Sequence, residues 1–268
     1  MYKRFDVSGK TIVVTGGAGI LGSLYCTRFA EEGAQVIISD IAGNKCADLA
    51  KKVSRATGTA CIGLSVDLSD EMSVVGWAKQ IIDAFGHVDV LVNNAATKSP
   101  NFFEPLESFP LADWNEVVSV NMTGIFLTVR ELGRVMAQRG KGSIINVSSI
   151  YGVVGPDQRI YEGSFYDDMG GTINTPFVYS ATKGAIVAMT KYLAAYWGPK
   201  GIRTNTLTPG GVYSGQNETF QKKYEDKVPL GRMAEAEDMV GAMIYLASDA
   251  SSYVNGQSIV VDGGWTAW

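Results

Sequence analysis

The chain has 268 residues, 46% of them hydrophobic and 19% charged, which is enough apolar surface to bury one large core and too little charge bias for a disordered chain. Its formal net charge of −4, with no runs of Lys or Arg, excludes nucleic acid and anionic membranes as main partners. Cys26, Cys46 and Cys61 show neither a CxxC nor a Cys/His ligand spacing, which argues against a disulfide framework or a metal site and predicts buried thiols.

Met1 to Gly9 is short and polar and lacks the apolar stretch of a signal peptide, and no run of about 18 apolar residues follows, so a cytoplasmic protein is expected. Strands are predicted near Thr11 to Thr15, Gln35 to Ser39, Ala60 to Val66, Val88 to Val92, Ser143 to Val147, Arg203 to Thr208 and Ser258 to Val261, with helix-period segments filling most gaps. Runs such as Thr11-Ile12-Val13-Val14 and Val88-Asp89-Val90-Leu91-Val92 are apolar without clean alternation, as parallel strands covered on both faces require. Alternating β and α units, with no linker or internal repeat, predict a single-domain α/β Rossmann fold: a doubly wound parallel sheet of about seven strands flanked by helices. His87, the one histidine, sits in the turn Phe85-Gly86-His87-Val88, where a solvent-facing or capping role is expected; Ser-His-Asp triads and HExxH zinc sites are thereby excluded unless it serves.

The first strand runs into Thr15-Gly16-Gly17-Ala18-Gly19-Ile20-Leu21-Gly22 and then a helix. Glycines there allow a tight turn and let backbone N–H groups approach a pyrophosphate. Asp40, at the end of the second strand, stands where an acid accepts from ribose hydroxyls. Its carboxylate repels a 2′-phosphate and neither Ala18, Gly19 nor Ile41 offers a compensating positive charge, so NAD is favoured over NADP. Further along, Tyr179-Ser180-Ala181-Thr182-Lys183 places a phenol and an ammonium one helical turn apart on one face. A lysine beside a tyrosine favours the phenolate, a base suited to an alcohol. Tyr196 and Lys200 share that spacing, but Gly198 and Pro199 between them should break the helix, leaving Tyr196 as a core or helix-end residue.

With these residues assembled, the chain resembles the classical short-chain dehydrogenase/reductase family over essentially its whole length. Asp67-Leu68 is similar to the family's adenine-site pair, Asn93-Asn94-Ala95-Ala96 to its NNAG segment, Pro209-Gly210-Gly211 to its PG motif near the nicotinamide, and Val260-Val261-Asp262-Gly263-Gly264 to its C-terminal strand and turn. The resemblance implies cofactor contacts from Gly16, Gly19, Ile20, Leu21, Gly22, Asp40, Ile41, Asp67, Leu68, Asn94, Ala95, Tyr179, Lys183, Pro209, Gly210 and Val212. It further implies that Asn121 anchors a water linking the lysine to solvent and that Ser149 binds the reacting oxygen, with Ser148 its rival because adjacent strand-end residues face opposite ways. A homotetramer, or else a dimer, is the implied assembly, with Trp265 and Trp268 expected at a subunit interface.

Two departures from the family pattern stand out. The glycines fall at 16, 19 and 22, as in the family's extended branch, but the chain ends a few residues after Asp262-Gly263-Gly264, leaving no room for that branch's C-terminal substrate domain. Ser149 and Tyr179 are also farther apart than usual, which marks an insertion at about 152–176. Long insertions beside an active site tend to be functional, and Gln158, Arg159 and Tyr161 within it suit a hydroxylated or anionic substrate; a solvated loop used in subunit contact is the alternative. A lid is expected at about 212–226, with Tyr213, Gln216 and Asn217 as further contacts. Ser149-Ile150-Tyr151-Gly152, Pro156 to Glu162 and the ending Gly263-Gly264-Trp265-Thr266-Ala267-Trp268 more narrowly resemble oxidoreductases of flagellin-modification and legionaminic-type sugar pathways.

The expected function is therefore NAD-dependent hydride transfer to or from a secondary alcohol or ketone of a polar small molecule, a sugar or sugar phosphate. Two alternatives are a 3-oxoacyl or other ketone reductase, and a catalytically silent NAD-binding interaction protein, against which the presence of both Tyr179 and Lys183 weighs.

Overall fold

The computed structural model describes residues 3–166 and 172–268; residues 167–171 of the predicted insertion lie outside the described residues. Seven strands form one sheet in the order β3-β2-β1-β4-β5-β6-β7, and every pairing is parallel. They are β1 (Thr11–Thr15), β2 (Gln35–Asp40), β3 (Cys61–Ser65), β4 (Val90–Asn93), β5 (Gly142–Val147), β6 (Ile202–Pro209) and β7 (Ser258–Val261). All seven predicted strands are present, their ends displaced by two residues at most. Helices α1 (Ile20–Glu31), α2 (Gly43–Thr57) and α3 (Glu71–Phe85) connect the first four strands.

The apolar runs form strands because β-branched residues suit a pleated surface and both faces are covered: Ile12 and Val14 belong to one buried cluster, Val13 and Ile37 to another on the opposite side of the sheet. In α2, Cys46, Ala50 and Val53 recur at helical spacing and are the buried residues of an otherwise polar helix. At α3, the Asp70 carboxylate accepts from the Met72 N–H at 2.9 Å, and Gly86, at φ +72°, ends the helix in a left-handed conformation that costs a glycine little. His87 follows this turn, 3.3 Å from the Asp89 carboxylate at the amino end of β4, far along the strand from the carboxyl-end loops.

One nearly continuous helix crosses between β4 and β5: α4 (Leu111–Val118), a π-helical turn (Ser119–Thr123), α5 (Gly124–Thr128), a second π turn (Val129–Gly133) and α6 (Arg134–Arg139). Helix α7 (Phe177–Trp197) then carries both Tyr179 and Lys183. It ends at Trp197, and Gly198–Lys200 forms a short 3-10 turn, which leaves Tyr196 at the helix end with more than half its surface exposed. It is not a core residue.

The described parts of the predicted insertion pack against the segment predicted as a lid. Tyr166 pairs with Gln216 in an isolated antiparallel bridge, the Asn217 N–H donates to the Phe165 carbonyl, and Lys223 donates to the carbonyls of Arg159 and Glu162. Helix α8 (Glu218–Glu225) presses Phe220 and Tyr224 into a buried cluster with Ile160 and Ile173 of the insertion. Trp265 belongs to this same cluster, stacked on Tyr224 with ring centroids 4.3 Å apart. The expectation that Trp265 lies at a subunit interface is corrected: its burial is within the chain, while Trp268 is 81% exposed.

Candidate active site

The strand order reverses between β1 and β4, and the loops leaving their carboxyl ends part there, opening the crevice in which doubly wound sheets bind ligands. The glycine loop turns into this crevice. Gly16 has φ +64°, and a Cβ on it would stand 2.7 Å from the Ala95 Cα; a Cβ on Gly22 would stand 2.0 Å from the Gly16 carbonyl oxygen. Side chains are thus excluded at both positions, so the loop lies flat against the β4 segment and the amino end of α1 is open to an anion. Thr15 holds the two segments together, its Oγ1 accepting from the N–H groups of Asn94 and Ala95 at 3.1 and 3.2 Å, while the Asn94 side-chain amide donates to the carbonyls of Thr15 and Gly16.

Asp40 is fixed by backbone: its oxygens accept from the N–H groups of Ala18 and Ala42 at 3.2 and 3.1 Å. Beside it Ile41 is 71% exposed, and Ile20 opens α1 with its side chain also largely in solvent. The Asp67 carboxylate accepts from both the N–H and the hydroxyl of Ser69, and Leu68 is buried in the cluster that contains Val66 and Val74. These features provide what a dinucleotide needs at its phosphate and ribose end: a side-chain-free turn at a helix start and a carboxylate one strand over.

At the inner end of the crevice, a cavity of about 300 Å³ is shared by Leu21, Asn94, Pro209, Gly210 and Val212 on one hand and Ser149, Tyr179 and Lys183 on the other. Lys183 is buried, and its ammonium donates to the Val147 carbonyl at 3.0 Å. It lies 5.7 Å from the centre of the Tyr179 ring, and burial pushes its pKa down to about 8. Burial holds the Tyr179 phenol above its ordinary value, with the Ser149 hydroxyl pulling the other way. The ammonium donates to Val147, and desolvation is the largest influence on the Tyr179 phenol.

Ser148 and Ser149 both line this cavity but have different partners. Ser148 donates to the Lys183 carbonyl at 2.7 Å and fastens β5 to α7, whereas Ser149 stands beside Tyr179. Asn121 lies buried in the first π turn, accepting from the Thr97 N–H at 3.0 Å and donating to Thr182. The extra residue of a π turn re-aims a side chain inward, and such turns recur at functional sites.

Of the substrate candidates, the structure brings Tyr161 and Gln216 to the cavities, and Asn217 lines neither. A second cavity of about 190 Å³ adjoins the first and is lined by Lys98, Phe103, Tyr161, Tyr166, Asn174 and Thr175 among others, with Tyr179 on its wall. Arg159 does not line it: its guanidinium makes two 2.8 Å bonds to Asp157, two residues back, and is 81% exposed. Gln158 is spent on the Thr175 carbonyl at 2.8 Å, and Tyr213, whose N–H donates to Ala234, lines neither cavity. Sequence reasoning missed Lys98, Tyr166 and Asn174.

It also missed the polar chain beneath the site. Thr128 donates to Asn93, Asn93 to Asn146, Asn146 to Thr190, and Thr206 to Thr190, at 2.8 to 2.9 Å. This joins α5, β4, β5, α7 and β6 through buried groups that each have a partner, an arrangement that rigidifies the floor.

A family model described as enoyl-(acyl carrier protein) reductase matches residues 16–266. The chain belongs to the short-chain dehydrogenase/reductase family. It is 31% identical to the D-threitol dehydrogenase of Mycolicibacterium smegmatis, over 98% of this chain and 95% of that one. Among solved structures, a gluconate 5-dehydrogenase from Burkholderia cenocepacia in complex with NADP and tartrate superposes with a TM-score of 0.87 at 31% identity, covering 99% of this chain and 98% of that one. A short chain dehydrogenase from Leptospira borgpetersenii with bound NAD+ superposes with a TM-score of 0.83 at 32% identity, covering 99% of this chain and 96% of that one. The protein is an NAD(P)-dependent oxidoreductase acting on CH–OH groups of a small molecule. Among the described residues, no helix is long and apolar enough to cross a membrane.

Proposed function

We propose that the protein transfers hydride between NAD and a secondary alcohol or ketone of a polyhydroxylated small molecule, a sugar, sugar acid or sugar phosphate. The observation that carries this reading is the shared cavity, where Ser149, Tyr179 and Lys183 meet the ends of the glycine-loop, β4 and β6 segments. Gly16, Gly19, Ile20, Leu21 and Gly22 hold the pyrophosphate, Asp40 and Ile41 the adenosine ribose, Asp67 and Leu68 the adenine side, and Asn94, Ala95, Pro209, Gly210 and Val212 the nicotinamide side. The nicotinamide, when bound, supplies the hydride acceptor or donor. Tyr179 takes the proton of the alcohol, Ser149 donates to its oxygen, and the Lys183 ammonium stabilises the phenolate. Asn121, held by Thr97 and Thr182, keeps a proton path from Lys183 to solvent.

The preference for NAD rests on Asp40, whose anchored carboxylate occupies the end of β2 beside an exposed apolar residue. A polar substrate is supported by Lys98, Asn174, Thr175 and Gln216 around the second cavity and by the threitol and gluconate dehydrogenases among the relatives. The narrower resemblance to flagellin-modification and legionaminic-type pathway enzymes agrees with a sugar substrate. A 3-oxoacyl or other ketone reductase is the second reading, favoured by the apolar walls Phe102, Phe103, Ile173 and Met233. The insertion and α8 together act as the lid over this site.

A homotetramer or dimer is the proposed assembly. Phe126, Tyr192 and Tyr196 are more than half exposed around an apolar hollow on α5 and α7, a surface suited to a second copy of the chain. The cytoplasm is the proposed location, in keeping with three free thiols.

The test is cofactor reduction followed by near-ultraviolet absorbance, with NAD and NADP in parallel, over polyols, sugars, aldonates, sugar phosphates and 3-oxoacyl thioesters run in reverse. Turnover of a polyhydroxylated compound with NAD is expected. Turnover confined to 3-oxoacyl thioesters with NADPH would overturn the reading.

A further inference from the structure

We propose that Lys98 binds an anionic group of the substrate, a carboxylate or phosphate, while Tyr179 works on a hydroxyl farther along the same molecule; the inference rests on the reading above. The two cavities share Tyr166, Tyr179, Gly211 and Gln216 as lining residues, so a substrate whose alcohol meets Tyr179 extends its remainder toward Lys98. Neither lining contains an Asp or a Glu among the described residues, and the side-chain cations they present are Lys98 and Lys183. In a chain of net charge −4, this is a local field of the opposite sign, suited to drawing in an anion.

Among the described residues, Lys98 is held without spending its hydrogen bonds. Its ammonium stands 5.2 Å from the centre of the Phe103 ring and 4.6 Å from that of Tyr166, contacts that attract the charge and leave the N–H donors free. The backbone is anchored on both sides, the Thr97 N–H donating to Asn121 and the Asn101 N–H to Asp113. Cations on the nearby cover are already engaged by carboxylates: Arg159 and Lys227 share Asp157, and Lys223 approaches Glu162. Lys98 has no carboxylate within ion-pair distance among the described residues. The anion clamp that the sequence suggested for Arg159 thus falls to Lys98.

The rest of the cavity fits the hydroxyls between the two ends. The Thr175 hydroxyl meets that of Tyr161, and the Asn174 side-chain carbonyl is an acceptor with no partner among the described residues, while its amide donates to the Phe103 carbonyl. A polyhydroxy acid or a sugar phosphate presents this sequence of groups; a neutral polyol leaves the ammonium unmatched.

The test is calorimetric binding of D-gluconate, tartrate, glycerol phosphate and D-threitol to the NAD-loaded enzyme and to its Lys98→Met and Lys98→Arg variants, alongside turnover of the same compounds. At least one of the anions should bind wild type more tightly than threitol. The methionine variant should lose at least about tenfold in that affinity, about 1.4 kcal/mol, with threitol unaffected, and arginine should restore most of it. The gluconate and glycerol phosphate arms separate carboxylate from phosphate. Unchanged anion affinity in Lys98→Met, or threitol binding with no anion bound by the wild type, or no binding of any of these compounds, would overturn the proposal. Anion binding that depends on Lys98, in an enzyme that oxidises none of these alcohols, would instead overturn the proposed activity and leave the anion site standing.

Discussion

Replacing Lys183 by methionine should change how stability depends on pH, and the size of the change follows from burial. The ammonium's pKa is pushed down to about 8 from an ordinary 10.5, so near pH 7 the folded state bears about 3 kcal/mol to keep the group charged. Below about pH 8 folded and unfolded chains both carry the proton and the penalty is full. As pH rises from about 8 to 10.5 the folded state releases its proton first, the unfolded chain binds more protons, and the penalty fades. Between about pH 7 and about pH 9.5 the wild type should therefore gain on the order of 2 kcal/mol relative to Lys183→Met. The variant also strands the Val147 carbonyl, a loss of about 1–3 kcal/mol that does not vary with pH, so the slope and not the offset carries the information. Buried tyrosines away from Lys183 titrate in both proteins and cancel. Urea unfolding of both proteins at several pH values and one fixed protomer concentration measures it. Stability curves that run parallel from pH 7 to 9.5 would refute the claim that Lys183 is a charge held in the interior against desolvation.

Asp40→Ala combined with Ile41→Arg should move cofactor preference toward NADP by at least about tenfold in kcat/KM, about 1.4 kcal/mol, since it removes the carboxylate and supplies a guanidinium; an unchanged NAD/NADP ratio would remove Asp40 from that role. Gly22→Ala puts a Cβ where the Gly16 carbonyl oxygen stands, so it should destabilise the fold by more than about 3 kcal/mol or abolish cofactor binding, read by thermal unfolding and by quenching of protein fluorescence with NADH. Asn146→Leu takes away the acceptor of the Asn93 amide and the donor to the Thr190 hydroxyl, while Thr128 and Thr206 still bond these residues, and should cost about 1–3 kcal/mol for the stranded amide; Asn146→Leu with Asn93→Leu should be less than additive, because the second change removes a group the first had stranded.

Much of the fold was legible because its strands are buried on both faces and read as unbroken β-branched runs, and the parallel order follows from their alternation with helices. The Tyr179–Lys183 pair and the glycine loop were legible because each lies within one turn or one loop, where spacing alone fixes proximity. The π turn that aims Asn121 left no trace in the residue pattern, since its backbone hydrogen bonds are set by tertiary packing. Asn93, Asn146 and Thr190 come from three elements, and nothing local marks them as one chain of hydrogen bonds. Arg159 was misread for a local reason: Asp157, two residues away, captures its guanidinium. Lys98 was missed for the opposite one, because Phe103 and Tyr166 reach it from separate segments and only the folded chain gathers them.

The most direct test of the account is Tyr179→Phe, assayed for turnover of the best alcohol substrate and, separately, for NADH binding. The account predicts a loss of about 10²–10⁴-fold in kcat with cofactor affinity unchanged, because the hydroxyl is removed while the ring and the cavity stay. Turnover within a few-fold of wild type would contradict the assignment of Tyr179 as the group that accepts the alcohol proton.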